Sequence, residues 1–392
     1  MRNNNGDGIL HDINMFFERL IERPMSIGTV CCPAMGGSGI IATEIAVELA
    51  KRGHKSNIIS YQKPYRLISK KVKLHIIPTK SFQAFQYFPV TLTAACKIEE
   101  VVKKEKIDVL NVHYAIPFSI ASYLAKQMVA SQGIKVPMIT TVHGTDVHTI
   151  GLKKEFRSIV KFTLENSDGI TAVAKYLADK LNENFDMNQN VKIIPNFVDA
   201  KRFRRINIPR KDERKIIVHV SNFRKIKRVD NIVKSFYKIN KTIPSRLLLV
   251  GSGPEEEYVR KLVKKYKLTE DVSFLGARRD VEKIYSAADL FLMASEREAC
   301  PLSILEAMSC SVPIVTTAVG GIPEIVENGK NGFLVEYNNP GAMAEKSLKI
   351  LSSDELRRRI AKFNRKTVIK KFTADKIIPE YERYYRRLEI TS

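Results

Sequence analysis

Several features are missing from this sequence, and each absence narrows the reading. No apolar run approaches the roughly 18 residues that a membrane span requires. No segment is low in complexity, and no short-period repeat is present. The five cysteines, Cys31, Cys32, Cys96, Cys300 and Cys310, are odd in number and scattered. They form neither paired zinc spacings nor a disulfide framework, so the expected compartment is a reducing cytoplasm. Residues 1–24 carry acidic residues and lack a cleavable apolar region followed by small residues, so they do not read as a signal peptide. They read as an N-terminal extension, and Met25 is an alternative start of translation.

What is present is an ordinary globular composition, 44% hydrophobic and 27% charged, over 392 residues, a length that suits two domains. The net charge is +23. Basic residues outnumber acidic ones by 29 to 18 up to residue 205 and by 36 to 24 beyond it. An even excess argues against a nucleic-acid protein, which concentrates its charge in a patch. It suits a generally basic surface, small anionic substrates or weak adhesion to an acidic membrane surface.

From residue 26 onward, strand and helix alternate. Ser26–Cys31, Asn57–Ser60, Val109–His113, Met138–His143 and Gly169–Val173 read as strands, with a helix over Ile40 to Arg52. A basic, proline-containing stretch near residues 200–215 breaks the pattern, which then restarts. Ile216–Val220, Arg246–Val250, Val272–Leu275, Leu290–Met293 and Pro313–Thr316 read as the strands of a second unit. The expected fold class is therefore α/β, with two Rossmann-like lobes facing a central cleft. The expected domains are an extension at 1–24, a first lobe at 25–205, a second lobe at 206–370, and a final helix at 371–392 packing back on the first lobe. Ligands of open α/β sheets sit beyond the carboxyl ends of their strands, so the cleft is the expected active site.

Several groups of residues carry chemistry into that cleft. Gly36-Gly37-Ser38-Gly39 lies between the first strand and the first helix, where backbone N–H groups can meet an anion. It is not the Gly-x-Gly-x-x-Gly fingerprint, which weakens a dinucleotide reading. His143 ends an apolar strand beside small polar residues. Arg224, Lys225, Lys227 and Arg228 follow the first strand of the second unit. Cations there oppose the helix dipole unless an anion offsets them. Glu298 precedes a helix whose first turn suits Pro301, and Glu306 lies one to two turns inside it, flanked by Leu305, Ala307 and Met308. Two carboxylates so spaced can grip hydroxyls at two ends of one ligand.

The Glu298-to-Glu306 spacing resembles the E-x7-E motif of the family 4 retaining glycosyltransferases. Val319-Gly320-Gly321-Ile322-Pro323-Glu324, Asn328-Gly329-Lys330-Asn331-Gly332, Val250-Gly251-Ser252-Gly253-Pro254 and Phe274-Leu275-Gly276 are similar to that family too. A narrower likeness, to the branch that glycosylates L-malate in bacillithiol biosynthesis, rests on five segments. These are Gly36-Gly37-Ser38-Gly39, Pro64-Tyr65-Arg66-Leu67, Val112-His113-Tyr114-Ala115-Ile116-Pro117, Thr141-Val142-His143-Gly144-Thr145-Asp146 and Ser221-Asn222-Phe223-Arg224. The chain departs from that branch at Ala299-Cys300-Pro301, where Ser-Phe-Gly is usual, and at Gln86, where Lys is usual.

The resemblance implies a GT-B enzyme moving GlcNAc from UDP-GlcNAc to the malate hydroxyl with retention. It implies that Glu298 meets the donor sugar and Glu306 the ribose. Lys227, Arg224 and the backbone of Gly37 would hold the diphosphate, and Arg278 would lie beside the uracil. Asn222 and Cys300 belong to the same donor surface. His143 would sit near the donor sugar, and Ser38, Tyr114, Thr141 and Arg224 near the acceptor carboxylates. The expected catalytic set is His143, Glu298, Arg224 and Lys227. No Asp-x-Asp motif occurs, so no catalytic metal or cofactor is expected beyond the sugar nucleotide. Neither nucleic acid nor an integral membrane segment is expected, and a homodimer is one assembly open to the chain. A lipid or sugar-phosphate acceptor, or a UDP-sugar epimerase on the same scaffold, are the alternatives.

Overall fold

A computed structural model describes residues 23–33, 36–79, 89–187, 190–209 and 213–391. Most of the 1–24 extension, and Gln86, lie outside the described residues. The first lobe is built on seven parallel strands: β1 (Ser26–Val30), β2 (Lys55–Ser60), β3 (Val72–Ile76), β4 (Val109–His113), β5 (Met138–Val142), β6 (Gly169–Ala172) and β7 (Val191–Ile193). Their order is β3-β2-β1-β4-β5-β6-β7. The second lobe has β8 (Lys215–Val220), β9 (Ser245–Val250), β10 (Val272–Gly276), β11 (Leu290–Met293), β12 (Ile314–Thr317) and β13 (Phe333–Val335), in the order β10-β9-β8-β11-β12-β13. Every strand pairing in both sheets is parallel.

The strands form where the sequence is apolar on both sides. β1, β4, β5 and β6 are buried at every position, as sheets covered by helices on both faces require. Three strands escaped the sequence reading. β3 mixes Lys and His with its apolar residues, and β7 and β13 span only three residues each. Polar residues break the apolar run in β3, and three residues are too few to show a period in β7 and β13.

Chain order reverses between β1 and β4 in one sheet and between β8 and β11 in the other. At such a reversal the flanking crossover helices lie on opposite faces and leave a crevice beyond the strand ends. The two crevices face one another. Helix α1 (Gly37–Lys51) follows β1, and helix α2 (Leu302–Ser309) follows β11 after a short loop.

One hydrophobic cluster joins the lobes, bringing Val142, Leu164 and Val173 of the first together with Val218, Met293 and Ile304 of the second. The last helix, α3 (Ala374–Thr391), lies on the first lobe. Its Ile377, Ile378, Tyr381 and Tyr385 share a buried cluster with Met25, Ile27, Ile41 and Leu49. Each fully buried isoleucine there is worth ~1.5–3 kcal/mol. Glu382 on the same helix accepts from Arg52 Nε at 2.8 Å and meets His54 Nε2 at 3.0 Å. The chain thus leaves the first lobe near residue 200 and returns to it at the end.

Candidate active site

The cleft between the lobes is lined by loops from the carboxyl ends of both sheets. Gly36, Gly37 and Ser38 follow β1, and Tyr65 and Arg66 follow β2. Tyr114 follows β4, and His143 follows β5. The second lobe contributes Asn222, Arg224, Lys227, Arg278, Glu298, Cys300 and Glu306. Of the twelve residues given a catalytic or binding role from the sequence, eleven line one wall or the other and Thr141 does not; Lys225 and Arg228 of the cation cluster do not line it either.

Two helices open into this cleft with bare amino ends. Gly36 precedes α1 with an extended backbone and no side-chain cap, and Pro301 precedes α2 likewise. Their first N–H groups lack intrahelical partners and carry the positive end of each helix dipole. A Cβ built on Gly37 would meet nothing within 4 Å, so the space in front of it is open to a ligand.

Glu298 is held by the second lobe alone. Its Oε1 accepts from Lys227 Nζ at 2.6 Å and from Ser295 Oγ at 2.7 Å. The side chains of Glu298 and Lys227 are only 9% and 16% exposed, so each compensates the other's charge. The glycines of Val319-Gly320-Gly321 explain the shape of this loop. Gly320 has φ of 57°, and a Cβ there would sit 1.9 Å from the Glu298 carbonyl oxygen. That carbonyl accepts from Gly321 N at 3.0 Å.

Glu306 is 4% exposed. Its Oε2 accepts from the Tyr285 hydroxyl at 3.3 Å, and its Oε1 pairs with Arg66 Nη1 at 2.8 Å. Arg66 belongs to the other lobe, so this ion pair crosses the cleft. Burial works against the Arg66 charge, but the Glu306 carboxylate outweighs it and the guanidinium pKa is raised. In the sequence Arg66 stands out only as part of Pro64-Tyr65-Arg66-Leu67; its partner lies 240 positions away, beyond the reach of any local pattern.

The cation cluster separates into two roles. Arg224 and Lys227 line the cleft, and the Arg224 side chain is exposed with no hydrogen bond or ion pair among the described residues. Arg228 turns away and pairs with both oxygens of Asp230, at 2.9 and 3.1 Å. Asn222 Oδ1 and Asn196 Oδ1 are buried without partners at the cleft wall, as expected of acceptors reserved for a ligand. Asn196 was not recognised in the sequence. Arg278 is held by Asp280 at the cleft edge. Cys300 is buried, and burial pushes its thiol up to about 12, so it packs and does not react.

On the first lobe, Ser38 Oγ and the Tyr114 hydroxyl are 2.6 Å apart. Tyr114 has φ of 83°, a strained backbone for a bulky residue, and strain of this kind concentrates at functional sites. Burial raises its phenol pKa, so it remains a hydroxyl donor. Thr141 corrects the sequence reading. It is fully buried in β5, and its hydroxyl bonds to Asn111 Oδ1 at 3.2 Å and Thr171 Oγ1 at 2.7 Å. A side chain two residues before His143 on a strand points to the same face, but one layer deeper. His143 lines the cleft, and burial lowers its pKa to about 3, so it is neutral at pH 7. Among the described residues, no three or more His, Cys, Asp or Glu side chains gather as a metal site, and no helix is long and apolar enough to cross a membrane.

Comparisons with known proteins show the family of the chain. The model for Glycosyltransferase Family 4 matches residues 35–202, and the model for Glycosyl transferases group 1 matches residues 200–367. The N-acetyl-alpha-D-glucosaminyl L-malate synthase of Bacillus anthracis is 38% identical over 370 residues, 92% of this chain and 96% of that protein. Among solved structures, a glycosyltransferase from Rickettsia africae superposes with a TM-score of 0.77 at 23% identity, covering 94% of this chain and all of that one. Anabaena HepE, solved in complex with UDP-glucose, gives a TM-score of 0.78 at 16% identity, again over 94% of this chain and all of its own.

Proposed function

The chain belongs to the family 4 glycosyltransferases, and on that premise we propose that it moves GlcNAc from UDP-GlcNAc to the hydroxyl of L-malate, retaining the anomeric configuration. The observation that carries the donor half is the convergence of Glu298, Glu306 and two uncapped helix starts on one cleft. Carboxylates grip sugar and ribose hydroxyls, whereas bare N–H groups with Lys227 and Arg224 grip a diphosphate. The acceptor half is supported by the Ser38–Tyr114 hydroxyl pair facing the unpartnered Arg224, donors suited to a small dicarboxylate. The 38% identity to the N-acetyl-alpha-D-glucosaminyl L-malate synthase points the same way.

Catalysis on this reading is preorganisation. The acceptor hydroxyl approaches the anomeric carbon on the face from which UDP departs. The C–O bond to phosphate breaks as the new one forms, and the departing phosphate oxygen takes the hydroxyl proton. Charge developing on that phosphate meets the helix amino ends, Lys227 and Arg224, which are in place before reaction, and such preorganised donors are worth several kcal/mol. Since cations and amides do this work, activity should survive excess EDTA. Loss on chelation with recovery on adding Mn²⁺ or Mg²⁺ would contradict the scheme.

The deciding experiment incubates the full chain with UDP-GlcNAc and a panel of hydroxy acids, and identifies products by mass spectrometry. An α-linked GlcNAc–malate product is expected, with glycerol reacting far more slowly. A lipid or sugar-phosphate acceptor reacting while malate stays inert would leave only the glycosyltransferase. Donor turnover with no acceptor added would favour the epimerase or hydrolase alternative.

A further inference from the structure

A line of buried polar side chains runs across three strands of the first lobe and ends at His143. It begins at Thr171 in β6, whose hydroxyl lies 2.7 Å from that of Thr141 in β5. Thr141 Oγ1 donates to Asn111 Oδ1 in β4 at 3.2 Å. The Asn111 amide nitrogen is 3.1 Å from His113 Nε2, and His113 Nδ1 is 2.8 Å from His143 Nε2. Thr171, Thr141, Asn111 and His113 have no solvent exposure. The two imidazoles stack with ring centroids 5.1 Å apart and planes 19° from parallel.

The proton positions follow link by link. A hydroxyl has one hydrogen, so Thr141, donating to Asn111, must accept from Thr171. An amide nitrogen can only donate, so His113 Nε2 must be the bare nitrogen. His113 then carries its hydrogen on Nδ1 and donates it to His143 Nε2. That nitrogen must therefore be bare as well, which leaves the His143 hydrogen on Nδ1. Nδ1 has no hydrogen-bond partner among the described residues, and His143 lines the cleft. Every link runs in one direction, so each donor is polarised by the one before it.

We propose that His113, oriented by Asn111 and Thr141, is a positioning residue that locks His143 as the neutral Nδ1–H tautomer, so that His143 presents a hydrogen-bond donor to the cleft and does not act as a base. The functional part rests on the glycosyl-transfer reading above: the Nδ1–H would serve an oxygen of the bound sugar nucleotide, while the departing phosphate takes the acceptor's proton. The tautomer itself is independent of that reading. It also gives a role to the buried threonine, asparagine and histidine that these three strands carry among their apolar residues.

The test uses the full chain labelled with ¹⁵N-histidine at pH 7, without substrate. Long-range ¹H–¹⁵N correlations separate a protonated ring nitrogen from a bare one, and loss of signals in His143→Gln and His113→Gln assigns the rings. The expected result is a protonated Nδ1 and a bare Nε2 on both histidines. A protonated Nε2 on neutral His143, or a charged His143 ring, would overturn the proposal. Two variants read the consequence. Asn places its amide nitrogen near the position of the histidine Nδ1, so His113→Asn should keep the tautomer and retain kcat within about threefold. His113→Leu should release it, populate both tautomers and lower kcat at least tenfold with the donor KM little changed. Equal kcat in the Leu and wild-type proteins, with both folded by thermal melting, would remove the positioning role. Should His113→Leu not fold, the wild-type spectrum still decides the tautomer. An Nδ1–H tautomer in a protein that transfers no sugar would retain the chain of hydrogen bonds and sink only the glycosyl-transfer reading.

Discussion

The two lobes share a topology but build their cleft walls differently. In the second lobe, groups that line the cleft are bonded directly to one another. Glu298 is held by Lys227 and Ser295, and the loop around it is shaped by Gly320 and Gly321. In the first lobe His143 is held through polar side chains buried within the sheet, Thr141, Asn111 and His113, none of which lines the cleft. Where both partners line the cleft, each stands in a loop at a strand end, although Lys227 and Glu298 are 71 residues apart. Where the support lies inside the sheet, no such loop marks it.

The largest effect should come from breaking the second lobe's own pair. Lys227→Ala leaves the Glu298 carboxylate nearly buried without a cation and should lower kcat/KM by about 3–5 kcal/mol. In Lys227→Ala/Glu298→Gln the losses should be strongly non-additive. Additive losses would mean the two residues act separately.

Next are the glycines, where the lobes should respond in opposite ways. Gly320→Ala combines a left-handed backbone with a Cβ driven into the Glu298 carbonyl, and should cost at least about 2 kcal/mol of stability in urea unfolding. Gly37→Ala meets no protein atom, so its melting should be unchanged while the donor KM rises. A destabilised Gly37→Ala with normal KM would show that the glycine serves the fold and not a ligand.

Acid should discriminate the lobes by a smaller margin. Burial lowers the pKa of His113 and His143 in the first lobe, and of His219 in the second, the last to about 4. The unfolded chain binds a proton at each below pH 6.5, whereas the folded chain does not. Stability is therefore complete above pH 6.5 and falls as pH drops, by about 2 kcal/mol per histidine at pH 5. Asp146 has the opposite sign, because burial raises it to about 6, and it returns about 1 kcal/mol over the same range. Unfolding at pH 7 and pH 5 should show His113→Asn/His143→Gln removing more of the loss than His219→Gln. An identical acid loss in all three proteins would sink this account.

The smallest expected effect tests the correction at Thr141. Thr141→Val removes one buried hydroxyl and should cost about 1–2 kcal/mol of stability. Malate KM should be unchanged, because the side chain does not face the cleft. A large rise in malate KM with normal stability would restore Thr141 to the acceptor site.

Much of this molecule was legible in its residues. Alternating apolar runs determined two parallel α/β units, since strands covered on both faces must be continuously apolar. Glu298, Glu306, Arg224 and Lys227 were legible because each sits within a few residues of a strand end or a helix start, where spacing alone predicts direction. The strands β3, β7 and β13 were not, because β3 carries Lys and His among its apolar residues and the other two are only three residues long. Only the tertiary structure decided which polar residues line the cleft and which hold another side chain. Thr141 and His143 are two residues apart on the same strand face, and sequence cannot tell which of them reaches the surface of the cleft. Nor could it pair Arg66 with Glu306, or Asn111 with both Thr141 and His113. Those contacts join strands and lobes far apart in the chain, and a buried polar group takes whatever partner the fold places within hydrogen-bonding distance.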